Sequence, residues 1–539
     1  MISSLFLLAG ISTSLAGERT EREMLAIAQS QLLAKGALTR SAQDITKLAD
    51  EKQYCVYGND TQGFVIISRN DDCAPVLGYS DSPYRDDHLP CGMKWWLEAV
   101  SENLEKGMVS RAATRADFTE VAPFVKTQWG QGSPYNLLTP ELSGKHTPTG
   151  CVATAMAQVM KYYNYPAKGK GKGYYTTTEN STRVTEQIKG EYQWDQMLDN
   201  YKGASATDEQ KQAVALLMKD AGLATNMNYG TSGSAASEII AAHGFAYNFS
   251  YDSLALKAYE RDFFDQTEWL EMVYSRLEAQ QPLLYVGVSG SGGHAFVLDG
   301  IDSEGLIHVN WGWDGEQDGF YSIDLLNPDG DAYVSGQGMV FDFKCQDAPD
   351  PDEEYYSLWY AYDAPYTMSL NGKMLTVAHA GIFNFHFLYF VGDVVVYAQP
   401  RNGDKSAGYA TRLSSSSTIY PTYRGLIDTN TVFLKGIPAG DYLLYMATKS
   451  ILEMNYQPVR CDGGPICYEL NVAEDGKLTL STEPRYLKEY NGPVAIKDVT
   501  VNKQLSSDCI YDLNGRYVGK DRSVLRKGIY IQNGMKVIL

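Results

Sequence analysis

Apolar residues recur at helical spacing in one stretch of the chain, at positions 152, 155, 156, 159, 160 and 163. This pattern predicts a helix with one buried face. Thr149 precedes it as a start signal and Pro166 ends it soon after Tyr163. Cys151 is therefore expected in the first turn, where unpaired backbone N–H groups favour a thiolate nucleophile. A small buried cysteine at a helix start is the alternative reading.

A nucleophilic cysteine needs a base, and His294 is the best placed of the seven histidines. It follows a glycine-rich segment, residues 287–293, and begins an apolar strand. We expect Gly293 to leave room there for a substrate backbone. The next strand, 306–310, ends at Asn310 and Trp311. Either residue could lie beside His294, to hold its tautomer or to shield it from water.

The patterns before residue 347 predict two α+β regions. Residues 18–115 combine helices at 21–35 and 94–107 with three short strands, and they contain no nucleophile–base pair. A small, polar and basic linker follows at 109–117. Residues 116–346 place helices before strands, which predicts a helical lobe and a twisted antiparallel sheet with a cleft between them. The predicted elements are helices 151–163, 209–222 and 267–281 and strands 283–288, 294–300, 306–310 and 319–323.

Beyond an acidic, proline-broken linker the helical period disappears. Alternating or continuously apolar runs separated by Asn-Gly and Ala-Gly-Asp turns predict a β-sandwich over residues 355–485. His379 and His386 in this region are expected to be structural. Residues 490–539 hold two short strand pairs with Asn-Gly turns, which predicts a small β unit.

Composition and charge narrow the function classes. With 539 residues the chain should form several domains, and its net charge of −19 disfavours binding to nucleic acid or anionic membranes. No apolar run is long enough to span a membrane, whereas residues 1–17 resemble a signal peptide and predict export. The eight cysteines show no metal spacing, and no cofactor is expected. Cys461 and Cys467 are the pair local enough to suggest a disulfide bridge.

Several motifs together resemble the streptopain family of papain-like cysteine peptidases. They are Gln131-Gly-Ser-Pro-Tyr-Asn, Thr149-Gly-Cys-Val-Ala-Thr-Ala, Lys161-Tyr-Tyr-Asn-Tyr-Pro, Gly293-His-Ala-Phe-Val and His308-Val-Asn-Trp-Gly-Trp. The resemblance covers residues 20 to 345 in order. It implies that Cys151 is the nucleophile, His294 the general base and acid, and Gln131 a donor of the oxyanion hole. It also places Trp311 near the base and leaves open whether Trp311 or Asn310 orients it.

The same resemblance extends to the substrate cleft and to the flanking regions. The segment 229–235 is similar to the family's substrate-cleft loop, so Ser232 and Ser234 are implied peptide contacts. Residues 18–115 correspond to an inhibitory prodomain, which would make the chain a zymogen and its own N-terminal region an intramolecular partner. Residues 490–539 are similar to the C-terminal sorting domains of type IX secretion cargo. Protein or peptide substrates are the other expected partners.

Two other classes of function remain open from the sequence. A peptidoglycan amidopeptidase would also use a cysteine and a histidine, but it predicts cell-wall-binding repeats, which are not visible. A non-catalytic adhesin would use the β domains alone and would not need Cys151, His294 and Gln131 together. The sequence therefore favours a secreted cysteine endopeptidase.

Overall fold

The structure is a computed structural model that describes residues 17–34, 45–59, 61–107, 118–289, 292–324, 336–346, 358–361, 364–378, 381–402, 407–419, 423–426, 429–453 and 455–491 and four strands between 510 and 538. Residues 1–16 of the predicted signal peptide, the whole linker at 109–117 and His379 lie outside the described residues. The chain divides into two units, residues 1–487 and 488–539.

The N-terminal domain is a four-stranded antiparallel sheet with two helices. Three of its strands are buried along their whole length, as their continuous apolar sequence requires. The second helix starts three residues before the predicted position because Pro90, which precedes it, fits a helix start. The elements are α1 (Glu21–Ala34), β1 (Thr46–Asp50), β2 (Tyr54–Gly58), β3 (Phe64–Ser68), β4 (Val76–Ser80) and α2 (Cys91–Glu105).

The next region has the two expected lobes, and the predicted α+β class is confirmed. Four helices, two of them started by capping boxes, all precede Leu283, where the longer strands of this region begin. They are α3 (Cys151–Tyr163), α4 (Asp208–Ala224), α5 (Glu238–Asn248) and α6 (Gln266–Glu278). The strands are β5 (Glu141–Leu142), β6 (Lys145–His146), β7 (Lys172–Thr177), β8 (Val184–Gln187), β9 (Asn228–Tyr229), β10 (Lys257–Glu260), β11 (Leu283–Ser289), β12 (Gly292–Ile301), β13 (Ile307–Asn310), β14 (Gly319–Tyr321) and β15 (Gly338–Phe341).

One sheet runs through both regions, which the sequence did not predict. Its ten strands follow the order β1-β2-β3-β4-β14-β13-β12-β11-β15-β10. The joint is the antiparallel pair β4–β14, in which Gly78, Tyr79 and Ser80 face Tyr321, Phe320 and Gly319. The N-terminal domain is thus hydrogen-bonded to the strands of the second lobe through its backbone.

Helix α5 was not predicted from the sequence. Gly244 interrupts its helical pattern, and glycine ordinarily weakens a helix interior. The structure gives the reason for this glycine, since a Cβ atom at position 244 would lie 3.1 Å from the Cβ of Ala224 on α4. The two helices pack closely because the side chain is missing.

The third region forms two sheets that share one apolar core, in agreement with the predicted sandwich. A three-stranded sheet, β17-β18-β23, faces a larger sheet built from the remaining strands. The strands are β16 (Trp359–Ala361), β17 (Thr367–Asn371), β18 (Met374–Ala378), β19 (Ile382–Asn384), β20 (Phe390–Pro400), β21 (Tyr409–Ile419), β22 (Tyr423–Leu426), β23 (Asn430–Phe433), β24 (Gly440–Ser450), β25 (Gln457–Pro458), β26 (Arg460–Cys461), β27 (Gly464–Val472), β28 (Leu478–Leu480) and β29 (Arg485–Tyr486).

A buried ion pair joins this β domain to the second region. The guanidinium of Arg460 lies 2.6 Å from a carboxylate oxygen of Glu268, with side-chain exposures of 4% and 10%. It also donates to the Phe263 carbonyl at 2.6 Å and lies over the Phe264 ring. The Phe263 ring stacks on Tyr360 with centroids 3.8 Å apart. These contacts hold the β domain against the start of α6.

The suggested disulfide between Cys461 and Cys467 is wrong, because both thiols are free. In the β26–β27 hairpin Cys461 faces Gly464. Cys467 lies three residues further along β27, which displaces it by about 10 Å. A disulfide bridges Cα atoms no more than about 7 Å apart.

The C-terminal unit contains a short helix, α7 (Lys488–Asn491), and a four-stranded antiparallel sheet. The strands are β30 (Ile510–Asp512), β31 (Tyr517–Gly519), β32 (Ile529–Gln532) and β33 (Met535–Ile538). None of the described helices in the chain is both long and apolar enough to cross a membrane.

Candidate active site

Cys151 is the first residue of α3, as the apolar pattern predicted. The preceding Gly150 has φ +88°, and a Cβ atom there would lie 2.7 Å from the thioether of Met227. Glycine is therefore required by both backbone conformation and space. The hydroxyl of Thr154 donates to the Gly150 carbonyl at 3.1 Å, and its oxygen is 2.8 Å from that of Thr149. These bonds fix the turn that presents the thiol.

The Cys151 thiol is half-buried, and burial raises its pKa. Hydrogen bonds from the backbone N–H groups of Ala295, Val152 and Cys151 act in the opposite direction, but they are outweighed. The N–H groups at the helix start therefore lower the pKa of the thiol, as expected. Burial raises this pKa by more, so the net shift is upward instead of downward. In this arrangement the protonated thiol is favoured.

His294 lies on β12, opposite Gly287 of β11, and is 4% exposed. Its Nε2 donates to the backbone carbonyl of Trp311 at 3.2 Å, which is its one side-chain hydrogen bond to a described residue. The next residue, Ala295, is buried in the apolar core against which Cys151 packs. The backbone of His294 thus lies close to the candidate nucleophile, but its imidazole is hydrogen-bonded to the Trp311 carbonyl.

Helix α2 of the N-terminal domain covers the imidazole. A Cβ atom on Gly92 would lie 2.3 Å from Cδ2 of His294 and 2.6 Å from Cε3 of Trp311. One turn further, Trp95 packs on Gly287, where a Cβ atom would lie 2.1 Å from the indole. The Nε1 of Trp96 donates to the backbone of the second lobe. The N-terminal domain therefore occupies the space beside the candidate base.

Gln131 lies in the segment before α3 and is half-buried. Its backbone carbonyl accepts a hydrogen bond from the Thr149 N–H at 3.1 Å, which ties it to the turn before Cys151. The carboxamide has no hydrogen-bond partner among the described residues, so its N–H groups are available to a substrate oxygen.

The structure distinguishes between Asn310 and Trp311, the two residues that the sequence suggested as partners of His294. Trp311 is fully buried, contacts the imidazole and donates from Nε1 to the Gln317 carbonyl. The side chain of Asn310 points elsewhere, with its oxygen bonded to Gln158 and its nitrogen to the Thr127 carbonyl at 2.6 Å. In this arrangement Trp311, through its backbone carbonyl, holds the imidazole.

The predicted substrate contacts lie near the start of α3. Ser234 donates from its hydroxyl to the Pro148 carbonyl at 2.8 Å and lies against Gly150. Ser232 is exposed two residues before it. Gly293 is exposed and pairs with Val288 at the end of the β11–β12 hairpin. Ser234 thus supports the turn at Cys151, whereas Ser232 and Gly293 are open to a ligand.

Sequence reasoning missed an acidic cluster behind Trp311. The Asp318 carboxylate accepts the Trp311 N–H at 2.8 Å, and the buried carboxylate of Asp299 accepts from Nδ1 of His308 at 2.5 Å. Burial raises the pKa of Asp318 to about 7 against the opposing effect of His308. Asp81 of the N-terminal domain adds to this rise. Nothing in the local sequence pattern brings these carboxylates together.

Gln158 was also missed, although the pattern carried a signal for it. It is a polar residue on a largely apolar buried face, seven residues after Cys151.

Among the described residues, no group of three or more His, Cys, Asp or Glu side chains could hold a metal ion.

A thiol at a helix start, an imidazole on the neighbouring strand and an available carboxamide define a papain-like cysteine peptidase. Comparisons with known proteins agree. The Peptidase C10 family model matches residues 129–321, and the Spi protease inhibitor model matches residues 18–104. Streptopain of Streptococcus pyogenes is 35% identical over 338 residues, which are 56% of this chain and 83% of that protein. This chain belongs to the peptidase C10, or streptopain, family.

Two further relatives are similar to this chain. The thiol protease/hemagglutinin PrtT of Porphyromonas gingivalis is 30% identical over 356 residues, which are 61% of this chain and 41% of that protein. A prointerpain A fragment of Prevotella intermedia is 34% identical with a TM-score of 0.51, and the match covers 56% of this chain and 98% of that fragment. The protein is a cysteine protease made as a zymogen, with its N-terminal domain as an intramolecular inhibitor.

Proposed function

We propose that this zymogen matures to a secreted endopeptidase in which Cys151 is the nucleophile and His294 the general base and acid. The observation that carries the proposal is the packing of Cys151 against the apolar core that contains Ala295, because Ala295 follows His294 directly on β12. Once the imidazole leaves the Trp311 carbonyl, it can take the thiol proton and form a thiolate–imidazolium pair.

In the proposed reaction the Cys151 thiolate attacks the carbonyl carbon of the scissile peptide bond. The resulting oxyanion accepts hydrogen bonds from the Gln131 carboxamide and the Cys151 backbone N–H. The C–N bond breaks as His294 protonates the leaving amine, which leaves a thioester. Water attacks the thioester and gives its proton to His294, and the carboxylate product departs.

The other residues of the site have supporting roles in this proposal. The Trp311 ring shields the imidazole and orients it once it has left the backbone carbonyl, and Asn310 acts through its position beside Trp311. Ser232, Ser234 and Gly293 contact the backbone of the bound peptide. Support comes from the exposed position of Ser232 and Gly293 and from the hydrogen bond of Ser234 to Pro148 at the start of α3.

Substitution of the nucleophile tests this function. Cys151→Ala should abolish cleavage of casein by the full-length chain after maturation with added active enzyme, with thermal unfolding unchanged. Cys345→Ala is the matched control, since Cys345 is an exposed thiol outside the site. Casein cleavage by Cys151→Ala at the rate of Cys345→Ala would refute the assignment.

We further propose that residues 1–17 direct export, that 18–115 is the inhibitory prodomain and that 116–346 is the peptidase. Residues 355–485 are an accessory β domain, and 490–539 serve as a sorting domain like those of type IX secretion cargo. The four-stranded sheet of the C-terminal unit supports the last assignment. Deletion of residues 490–539 should abolish release from the producing cell without loss of activity in extracts.

Latency follows from the prodomain contacts. Helix α2 packs on His294 and Trp311, so the imidazole cannot leave the Trp311 carbonyl while the prodomain is docked. We expect cleavage within 109–118 to remove its covalent tether and so allow it to dissociate. Cys151→Ala protein should accumulate at full length, and added active enzyme should trim it in that segment. A full-length precursor as active as the trimmed form would instead indicate a permanent recognition domain.

A further inference from the structure

Gln158 is a buried polar side chain on the helix that begins at Cys151. It lies seven residues after Cys151 on α3 and therefore on the same face, about 10 Å further along the helix axis. It is completely buried, and so is Thr154, the polar residue one turn before it on the helix. Burying a carboxamide is costly unless each of its groups is hydrogen-bonded.

The carboxamide of Gln158 makes three hydrogen bonds to two other segments. Its Oε1 accepts from the hydroxyl of Thr127 at 3.0 Å and from the backbone N–H of Trp129 at 3.2 Å. Its Nε2 donates to Oδ1 of Asn310 at 3.0 Å. Asn310 in turn donates to the Thr127 carbonyl, which closes a ring of hydrogen bonds.

Each of the two segments leads directly into the active site. Trp129 precedes the oxyanion donor Gln131 by two residues. Asn310 precedes Trp311, and its oxygen also accepts the N–H of Gly312 at 3.1 Å. The ring therefore joins the nucleophile helix, the oxyanion segment and the segment that contacts the base.

An apolar side chain in place of Gln158 would leave the Thr127 hydroxyl and the Trp129 N–H without this acceptor, which lowers stability. The hydrogen bonds also have a geometric role, because they fix distance and direction while apolar packing tolerates sliding. A shift of about 1 Å between catalytic groups is enough to lower a rate about a hundredfold.

We infer that Gln158 is a positioning residue of the peptidase, whose single carboxamide holds α3, residues 127–131 and residues 310–312 in register. The inference rests on the function proposed above for Cys151 and Gln131. Gln158 does not touch the substrate, so its loss should change turnover through the geometry of other groups.

Two substitutions in the full-length chain, matured with added active enzyme, test this role. Gln158→Met keeps the volume and removes all three hydrogen bonds. Gln158→Glu keeps an acceptor for Thr127 and Trp129, but an ionised carboxylate has no proton to donate to Asn310. Gln337→Met is the matched control, because Gln337 is a buried glutamine that accepts a hydrogen bond from Tyr285 on the other side of the sheet.

For Gln158→Met we expect kcat to fall about ten- to a hundredfold, with KM within about threefold of the wild-type value. Gln337→Met should keep its kcat even if its melting temperature falls. For Gln158→Glu the ratio of its kcat to that of the wild type should rise as the pH is lowered, because protonation restores the donor to Asn310. A purely structural role would not produce this pH dependence.

Unchanged kcat in Gln158→Met, or a Gln158→Glu pH profile parallel to that of the wild type, would overturn the inference. If Gln158→Met does not fold, the pH profile of Gln158→Glu decides alone. The rate at which iodoacetamide alkylates Cys151 is followed in the same variants and should fall with kcat. This readout reports on the site even if Cys151→Ala shows that another residue carries the reaction.

Discussion

Replacing Gly92 by alanine should loosen the inhibitory domain. The added Cβ would lie 2.3 Å from the His294 ring and 2.6 Å from the Trp311 ring, and both distances are far below a van der Waals contact. The two rings are 4% and 0% exposed, so neither has free space to enter. The extra methyl group can be accommodated only if α2 moves away from the peptidase lobe.

The size of the effect can be worked from this overlap. Inserting a methyl group into a well-packed core costs about 1–3 kcal/mol. The methyl belongs to the prodomain and the rings belong to the peptidase, so the cost falls on their docking. A loss of this size weakens docking about 5- to 150-fold. A small fraction of the intact precursor should then have a free His294.

The assay compares intact precursors before any cleavage. Gly92→Ala should hydrolyse a fluorogenic peptide faster than the wild-type precursor, react faster with iodoacetamide at Cys151 and mature with a shorter lag. Lys94→Ala is the control, because Lys94 is an exposed residue of the same helix. If Gly92→Ala is as latent as the wild type and its α2 stays docked, the contact with His294 does not maintain latency.

Three further predictions concern other parts of the chain. Gln131→Ala should lower kcat about a hundredfold or more with little change in KM; a raised KM with unchanged kcat would make Gln131 only a binding residue. Arg460→Met leaves Glu268 buried without its partner and should cost about 3–5 kcal/mol in denaturant unfolding, much of which Glu268→Gln should restore; an unchanged midpoint would contradict this. The raised pKa of Asp318 means that the stability it contributes is lost as pH rises from about 4 to about 7. Asp318→Asn should therefore flatten the decline of precursor melting temperature over that range, and identical profiles would refute the argument.

Local pattern was enough to predict the elements on which the candidate nucleophile and the candidate base lie. The helical spacing after Thr149 placed Cys151 at a helix start, and the glycine-rich approach placed His294 on a strand. The contact of Gly92 with His294 could not be predicted, because it joins two domains about two hundred residues apart and depends on an absent side chain. Which of Asn310 and Trp311 contacts His294 likewise could not be predicted. It depends on the hydrogen bond between the Asn310 side chain and Gln158, which are far apart in the sequence.

Because the ten-stranded sheet is continuous across both regions, cleavage of the linker and dissociation of the prodomain are two different events. Cleavage after Gly107 leaves the β4–β14 hydrogen bonds and the packing of α2 in place. What it removes is the tether, and with it the high effective concentration of the inhibitor at its own docking site. A zymogen cleaved in the linker should therefore stay inactive in concentrated solution and become active when it is diluted. Departure of the prodomain also exposes β14 as a sheet edge, which is open to any extended chain that can pair with it.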